Sequence, residues 1–331
     1  MIKPVVITSG DMNGIGPEVA LKAVSTAPEF PVILSGPESV FSFYNQRLDH
    51  PVHWKKIAHP SEASGKGMFL IEPDSLRDHN IEVEPGKVIV EAGKCAMLSI
   101  DDAISWCSAG LTSALVTAPI NKESVNLAGY AIPGHTEYLA EKTGTGEVVM
   151  MLATESLRVI PLTTHIPVSE IKSALNADLI RKKVLICDAS LKSQFGISDP
   201  RIAVLGLNPH AGDGGVIGRD EIELINPVID ELQNSGINCD GPYPADGLFA
   251  SGGYRRFDAI IGMYHDQVLI PFKMLSDGGG VNTTLGLPII RTSPDHGTAF
   301  DIAGRNIADA SSMKSAIRLA GHLAEKASAL T

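Results

Sequence analysis

The sequence has no long apolar run, no dense basic block and few aromatic residues. Without a stretch of about 18 apolar residues, no membrane span is expected. Aromatics make up 5% of the chain, and 38 acidic residues outnumber 27 Lys and Arg to give a formal charge of -11. With no basic cluster, neither nucleic acid nor an anionic membrane surface is an expected partner. A few convergent cations can still form a local pocket for a small anion. Only four cysteines occur, Cys95, Cys107, Cys187 and Cys239, and no CxxC pair joins them. Free buried thiols in a reducing compartment are expected. The start, MIKPVVITSGD, lacks the apolar segment and small-residue cleavage site of a secretory leader, so the expected location is the cytoplasm.

The chain does have length and apolar content: 331 residues, 44% of them hydrophobic. That is enough for one large domain or two ordinary ones. Short β-like runs alternate with helical ones. Val5-Val6-Ile7-Thr8 and Val32-Ile33-Leu34 read as strands, Gly16 to Ala27 and Glu38 to Leu48 as helices. Residues 49–86 are polar and carry no clear period. Helical spacing returns over 88–109, followed by a strand at Ala114–Thr117. Val148–Ala153 and Leu157–Thr164 flank Thr154-Glu155-Ser156 like a hairpin. Further helices are expected near 177–194, 220–235 and from Asn306 to about Ala327, with strands at Ile202–Leu207 and Asp258–Met263. The alternation predicts an α/β fold with a largely parallel sheet, arranged as two domains that share a crevice.

Three histidines share a setting. His165, His210 and His265 each follow an apolar β run, where ligands bind in open α/β sheets. Three imidazoles gathered there would hold a divalent metal with positions left open for substrate. The competing reading is that each merely hydrogen-bonds at a strand end. His50, His53, His59 and His79 lie in the polar segment and read as solvated surface.

In Pro133-Gly134-His135-Thr136-Glu137, a turn enters a helix. Its free N–H groups, with His135 and Thr136, suit an anion; an ordinary helix cap is the alternative. Lys273, Asn282 and Arg291 surround the turn Gly278-Gly279-Gly280. Arg291 offers a planar fork and Lys273 a point charge for phosphate or carboxylate, though each is a common surface residue type. Gly10-Asp11-Met12-Asn13-Gly14-Ile15-Gly16-Pro17-Glu18 follows a strand and opens a helix. Its glycine spacing does not match GxGxxG, so no dinucleotide site is assigned to it.

The segment Asp295-His296-Gly297-Thr298-Ala299-Phe300-Asp301-Ile302-Ala303-Gly304 resembles the HGSAPDIAG loop of isopropylmalate and isocitrate dehydrogenases. That resemblance places His296 and Gly297 beside an adenine and Asp301 on the ribose hydroxyls. An acid there disfavours a 2′-phosphate, so NAD is favoured over NADP. Along its whole length the chain is similar to the 4-hydroxythreonine-4-phosphate dehydrogenase family. The matching stretches include VTAPINKE, PGHTEYL, VMMLATESLRV, TTHIP, LNPHAGDGG, PADGLF, MYHDQ and GVNTTLGLPIIRTS.

The resemblance implies a two-domain isocitrate/isopropylmalate-dehydrogenase-like α/β fold with an active-site cleft between domains. Residues 1–130 with 276–331 would form the cofactor side, and 131–275 the metal and dimerisation domain. It implies metal ligands His165, His210 and His265 in a site shared across a homodimer; three imidazoles favour zinc or cobalt, with magnesium the alternative. It implies substrate contacts from His135, Thr136, Lys273, Asn282 and Arg291. The implied reaction is oxidation of a phosphorylated hydroxy-amino acid by NAD or NADP, followed by loss of carbon dioxide. Asp246 in PADGLF is the candidate general base; otherwise it is a loop acid or helix cap. Two rivals remain: a D-threonate or D-erythronate 4-phosphate dehydrogenase, and a metal-dependent hydrolase, which leaves the late loop unexplained.

Overall fold

The protein is described from a computed structural model covering residues 3–25, 28–77, 81–132 and 134–330. Ala27, His79 and Pro133 lie outside the described residues. The chain forms two compact units, one of Met1–Gly146 with Leu287–Ala329, the other of Glu147–Gly286.

The first unit begins with β1 (Val5–Thr8), α1 (Gly16–Val24), β2 (Pro31–Ser35) and α2 (Glu38–Asn45). Pro17 in the first turn of α1 costs no hydrogen bond there, because the first N–H groups of a helix have no intrahelical partner. The aperiodic stretch supplies β3 (Lys55–Lys56) and β4 (Gly67–Ile71). Gly67-Met68-Phe69-Leu70-Ile71 is almost wholly buried, so its apolar run lacks the alternation of a half-exposed strand. The long helix α3 (Val90–Ser108) buries Ala92, Ala96, Ile100 and Ala103 at three- to four-residue spacing. It is followed by β5 (Ala114–Val116), α4 (Lys122–Leu127) and α5 (His135–Lys142).

The second unit runs β6 (Val149–Ala153), β7 (Arg158–Thr163), α6 (Ile171–Ala174), α7 (Ala177–Ser193) and β8 (Ile202–Leu205). The expected hairpin is present: β6 and β7 pair antiparallel, and Leu157 N donates to Thr154 Oγ1 at 3.0 Å across the turn. The helix expected near 220–235 opens instead as a π-turn, Glu221–Ile225, before α8 (Asn226–Asn234). Pro227 explains the irregularity, because it lacks the N–H that a regular helix would use there. Next come β9 (Cys239–Tyr243), α9 (Ala245–Ala250), β10 (Ala259–Tyr264), α10 (His265–Leu275) and β11 (Val281–Leu285).

The chain then returns to the first unit with β12 (Arg291–Pro294) and α11 (Ser311–Leu330). This last helix starts later than its apolar pattern suggested. Asn306 sits at a positive φ of 58°, and Asp309 Oδ1 accepts from Ser311 N and Oγ at 3.0 and 2.7 Å. An acidic side chain satisfying the first free N–H groups marks a helix start.

Strands of the first unit follow the order β3-β4-β2-β1-β5-β12, all parallel. Those of the second follow β11-β6-β7-β10-β8-β9, parallel from β7 onward and antiparallel at β11-β6-β7. The unit boundaries differ from the sequence reading for two reasons. Residues 134–146 are held by Tyr138, whose hydroxyl reaches Asp101 of α3 at 2.5 Å. Residues 276–286 are held by the pairing of β11 with β6.

The cysteines are all free; Cys95, Cys187 and Cys239 are buried and Cys107 half-buried. Burial pushes the thiols of Cys95 and Cys107 up to about 12, which keeps them protonated and unreactive. Among the described residues no helix is long and apolar enough to cross a membrane. His50, His53 and His59 are exposed.

Candidate active site

The three histidines follow three neighbouring parallel strands of the second unit, β7, β10 and β8. His265 is the first residue of α10, directly after β10. Because Tyr264 pairs in register with Thr163, His165 and His265 emerge side by side. Their ring centroids are 6.2 Å apart. Thr163 Oγ1 donates to the Met263 carbonyl at 2.9 Å and locks the two strand ends together. A cavity of about 190 Å³ opens between Thr163–Ile166 and Tyr264–Asp266. Asp266 Oδ1 lies 2.6 Å from His265 Nδ1, an arrangement that fixes a ring and leaves its other nitrogen for a ligand.

His210 sits apart from this pair on a left-handed turn after β8, and it is exposed. Among the described residues no group of three or more His, Cys, Asp or Glu is arranged to hold a metal ion. The paired imidazoles and their cavity are donors of the type that fits a divalent ion, but only two of the expected three are brought together within this chain. On the same unit, Lys273 is exposed on α10 and Asn282 lies partly buried on β11, its Oδ1 enclosed and without a hydrogen-bond partner. Asp246 is exposed in the first turn of α9.

The first unit carries the other predicted residues. Arg291 opens β12 and is 2% exposed. Its Nε and Nη2 donate to Thr117 Oγ1 at 3.1 and 2.7 Å. Burial lowers this guanidinium to about 10, with Glu137 opposing the shift, so it stays charged at neutral pH. His135 opens α5, and its Nε2 is enclosed without a hydrogen-bond partner. Burial and then the Arg291 charge push this imidazole down to about 3. Desolvation and a like charge both penalise the protonated ring. A neutral imidazole beside a buried cation therefore stands at the start of α5, with Thr136 next to it, half-buried.

The late loop is built by contacts that the sequence reading did not assign. Ile15 N donates to the Thr298 carbonyl at 2.9 Å. Gly14 lies so close that a Cβ there would come within 2.9 Å of the same oxygen. Asn13 holds the neighbouring turn through Glu84 N at 2.8 Å and the Lys87 carbonyl at 2.9 Å. Buried Glu18 accepts from Ala308 N at 3.0 Å. The motif at 10–18 thus braces residues 298–308, a role legible only as an unexplained set of glycines beside a buried acid. On the braced loop, His296 Nε2 is enclosed without a partner, while Gly297 and Asp301 are exposed. Thr117 was also missed; its signal was its place at the end of a strand in VTAPINKE.

Parallel strands in both units, with His165, His210 and His265 beyond the carboxyl ends of β7, β8 and β10, define an α/β protein of the ligand-binding type. The sequence profile of the family described as pyridoxal phosphate biosynthetic protein PdxA matches residues 29–320. The chain belongs to that family and is an oxidoreductase. It is 45% identical to 4-hydroxythreonine-4-phosphate dehydrogenase from Bacteroides thetaiotaomicron, over 95% of this chain and 86% of that one. It is 41% identical to the Paracoccus denitrificans protein of the same name, over 98% of each chain. The solved structure of 4-hydroxythreonine-4-phosphate dehydrogenase from Klebsiella pneumoniae is similar, with TM-score 0.88 at 38% identity, covering 97% of this chain and 99% of that one. A terephthalate 1,2-cis-dihydrodiol dehydrogenase from Burkholderia xenovorans is also similar, with TM-score 0.69 at 27% identity, covering 97% of this chain and 98% of that one.

Proposed function

We propose that the protein oxidises 4-phosphohydroxy-L-threonine with NAD or NADP. The carbon that bears the secondary hydroxyl gives its hydride to the nicotinamide while the hydroxyl gives its proton to a base, leaving a carbonyl. The resulting 3-keto acid loses carbon dioxide to leave 3-amino-2-oxopropyl phosphate, a step toward pyridoxal phosphate. The supporting observation is near full-length similarity, at 38–45% identity, to proteins named for this substrate, together with the His165–His265 pair and the His135–Arg291 pair in the chain itself.

In this reading the anionic ends of the substrate are gripped by Arg291, Lys273 and the start of α5 at His135 and Thr136. Neutral His135 offers a hydrogen bond without adding charge, and Asn282 offers its unpartnered carbonyl oxygen. His165 and His265, with His210 in a site shared between two copies of a homodimer, would hold zinc, cobalt or magnesium. When bound, such an ion supplies Lewis acidity that eases both loss of the hydroxyl proton and loss of carbon dioxide. Asp246 is assigned as the base that takes the hydroxyl proton. His296 and Gly297 receive the adenine, and Asp301 the ribose hydroxyls, which favours NAD. The enzyme works in the cytoplasm, the compartment that supplies its soluble substrate and cofactor.

The test is a spectrophotometric assay with 4-phosphohydroxy-L-threonine, NAD or NADP and a panel of divalent ions. Ion-dependent growth of reduced-nicotinamide absorbance is expected. D-Threonate 4-phosphate and D-erythronate 4-phosphate run alongside; turnover of those alone reassigns the substrate. Substrate cleavage without any change in nicotinamide absorbance points to a hydrolase and overturns the reading.

A further inference from the structure

His210 occupies an unusual backbone. The φ/ψ pairs are 53/27 at His210, 51/41 at Ala211, 82/-6 at Gly212, 45/56 at Asp213 and 64/17 at Gly214. This is a turn of left-handed helix, and it includes three residues with side chains. Each such residue is disfavoured relative to right-handed geometry, because its Cβ crowds the following carbonyl oxygen. A turn of this kind persists only when its surroundings hold it.

Those surroundings centre on one buried acid. Glu221 is 2% exposed. Its Oε1 accepts from the backbone N–H of Asn208 at 2.8 Å, and its Oε2 accepts from Asn208 Nδ2 at 2.9 Å. Asn208 in turn accepts from Ala211 N at 3.1 Å through its own carbonyl, closing the turn around His210. Gly212, at φ 82°, packs on the same carboxylate; a Cβ there would lie 2.6 Å from Glu221 Oε2. Asn208 Nδ2 also reaches Asp220 Oδ2 at 3.0 Å, and Asp220 is tethered by Lys172 at 2.8 Å. Glu221 stands at the head of the π-turn, an irregularity that recurs at functional sites. On the other side of the turn, Gln267 donates to the Gly206 carbonyl at 2.7 Å and accepts from Met263 N at 2.7 Å. The root of the His210 turn is thereby tied to the helix that begins with His265.

We propose that Glu221 is a positioning residue for His210, its carboxylate clamping Asn208 so that the left-handed turn presents the imidazole in one fixed direction. The proposal rests on the reading of His210 as a ligand of a divalent ion. Both oxygens of Glu221 face N–H donors, so charge and shape both matter. Glutamine would turn an NH₂ toward a donor, and aspartate is one methylene short.

The test titrates Co²⁺ alone into the metal-free full-length protein, read by calorimetry and by visible d–d absorption. Wild type is compared with Glu221→Gln, Glu221→Asp and His210→Ala. Val228→Ala, a core change on α8 at a residue 2% exposed, serves as the control for general loosening of the same unit. Glu221→Gln is expected to weaken Co²⁺ binding by about 10-fold or more, as loss of a ligand-orienting partner does. Glu221→Asp is expected to weaken it by less and answers the same question if the glutamine variant does not fold. NAD affinity is expected to stay at the wild-type value in both. Equal affinity and spectrum in wild type and both Glu221 variants overturn the clamp, as does an equal loss in Val228→Ala. Wild type that takes up no Co²⁺ removes His210 as a ligand, and the clamp's purpose with it.

Discussion

Arg291 and Thr117 come from strands β12 and β5, and the threonine hydroxyl oxygen receives two donors of the guanidinium, at 3.1 and 2.7 Å. The pair fixes the plane of a buried cation, with Arg291 at the start of β12 and Thr117 just past the end of the neighbouring parallel strand β5. A fork held in that way is set to meet an oxyanion in a single orientation.

Thr117→Val keeps the side-chain shape and removes the acceptor. Leaving a buried charged donor short of a partner costs about 1–3 kcal/mol. A lower melting temperature and a raised KM for the phosphorylated substrate are expected. Arg291→Lys keeps the charge but loses the fork, and kcat/KM is expected to fall by about 100-fold on the strength of the geometry alone. Steady-state kinetics and thermal melts check both; an unchanged KM in both variants contradicts the assigned role.

His135, held at about 3 in the folded protein against 6.5 unfolded, sets a pH dependence. Between these values the unfolded chain binds a proton that the folded one does not. His135 therefore favours folding fully above about pH 6.5, and that contribution is lost progressively as pH falls toward 3. Urea melts from pH 7 to 4 are expected to show a shallower acid-side loss in His135→Asn than in wild type. In NMR titration the His135 ring signals should stay at neutral positions from pH 8 to 5. A midpoint near 6.5 contradicts the burial argument.

Gly14→Ala places a methyl against the Thr298 backbone oxygen, at 2.9 Å before relaxation. Overpacking of this kind costs about 1–3 kcal/mol and moves the backbone. The expected result is NAD binding weakened by about 10-fold in calorimetry, with the substrate's affinity little changed. Equal NAD affinity in the variant separates the motif at 10–18 from the cofactor loop.

Asp301→Asn removes a negative charge where a 2′-phosphate would approach. The ratio of kcat/KM for NADP over NAD is expected to rise about 10-fold, measured at fixed substrate. No change in that ratio places the ribose elsewhere.

The α/β class, the strand–helix alternation and the hairpin at 149–163 were legible in the sequence, because local period and turn chemistry decide them. So were the three histidines as strand-end residues and the late loop as a resemblance. β4 was missed because a strand buried on both faces shows no alternation. The onset of α11 was misplaced because apolar spacing begins at Ile307, ahead of the start at Ser311 that Asp309 caps.

Tertiary structure alone decided that Arg291 meets Thr117, that His135 stays neutral, and that Glu221 closes on Asn208 beneath His210. It also showed that only two of the three histidines meet within one chain. The sequence specifies residue types and local periods. Burial and charge separation are properties of pairs far apart along the chain, and their signs exist only once folding has excluded water from between them.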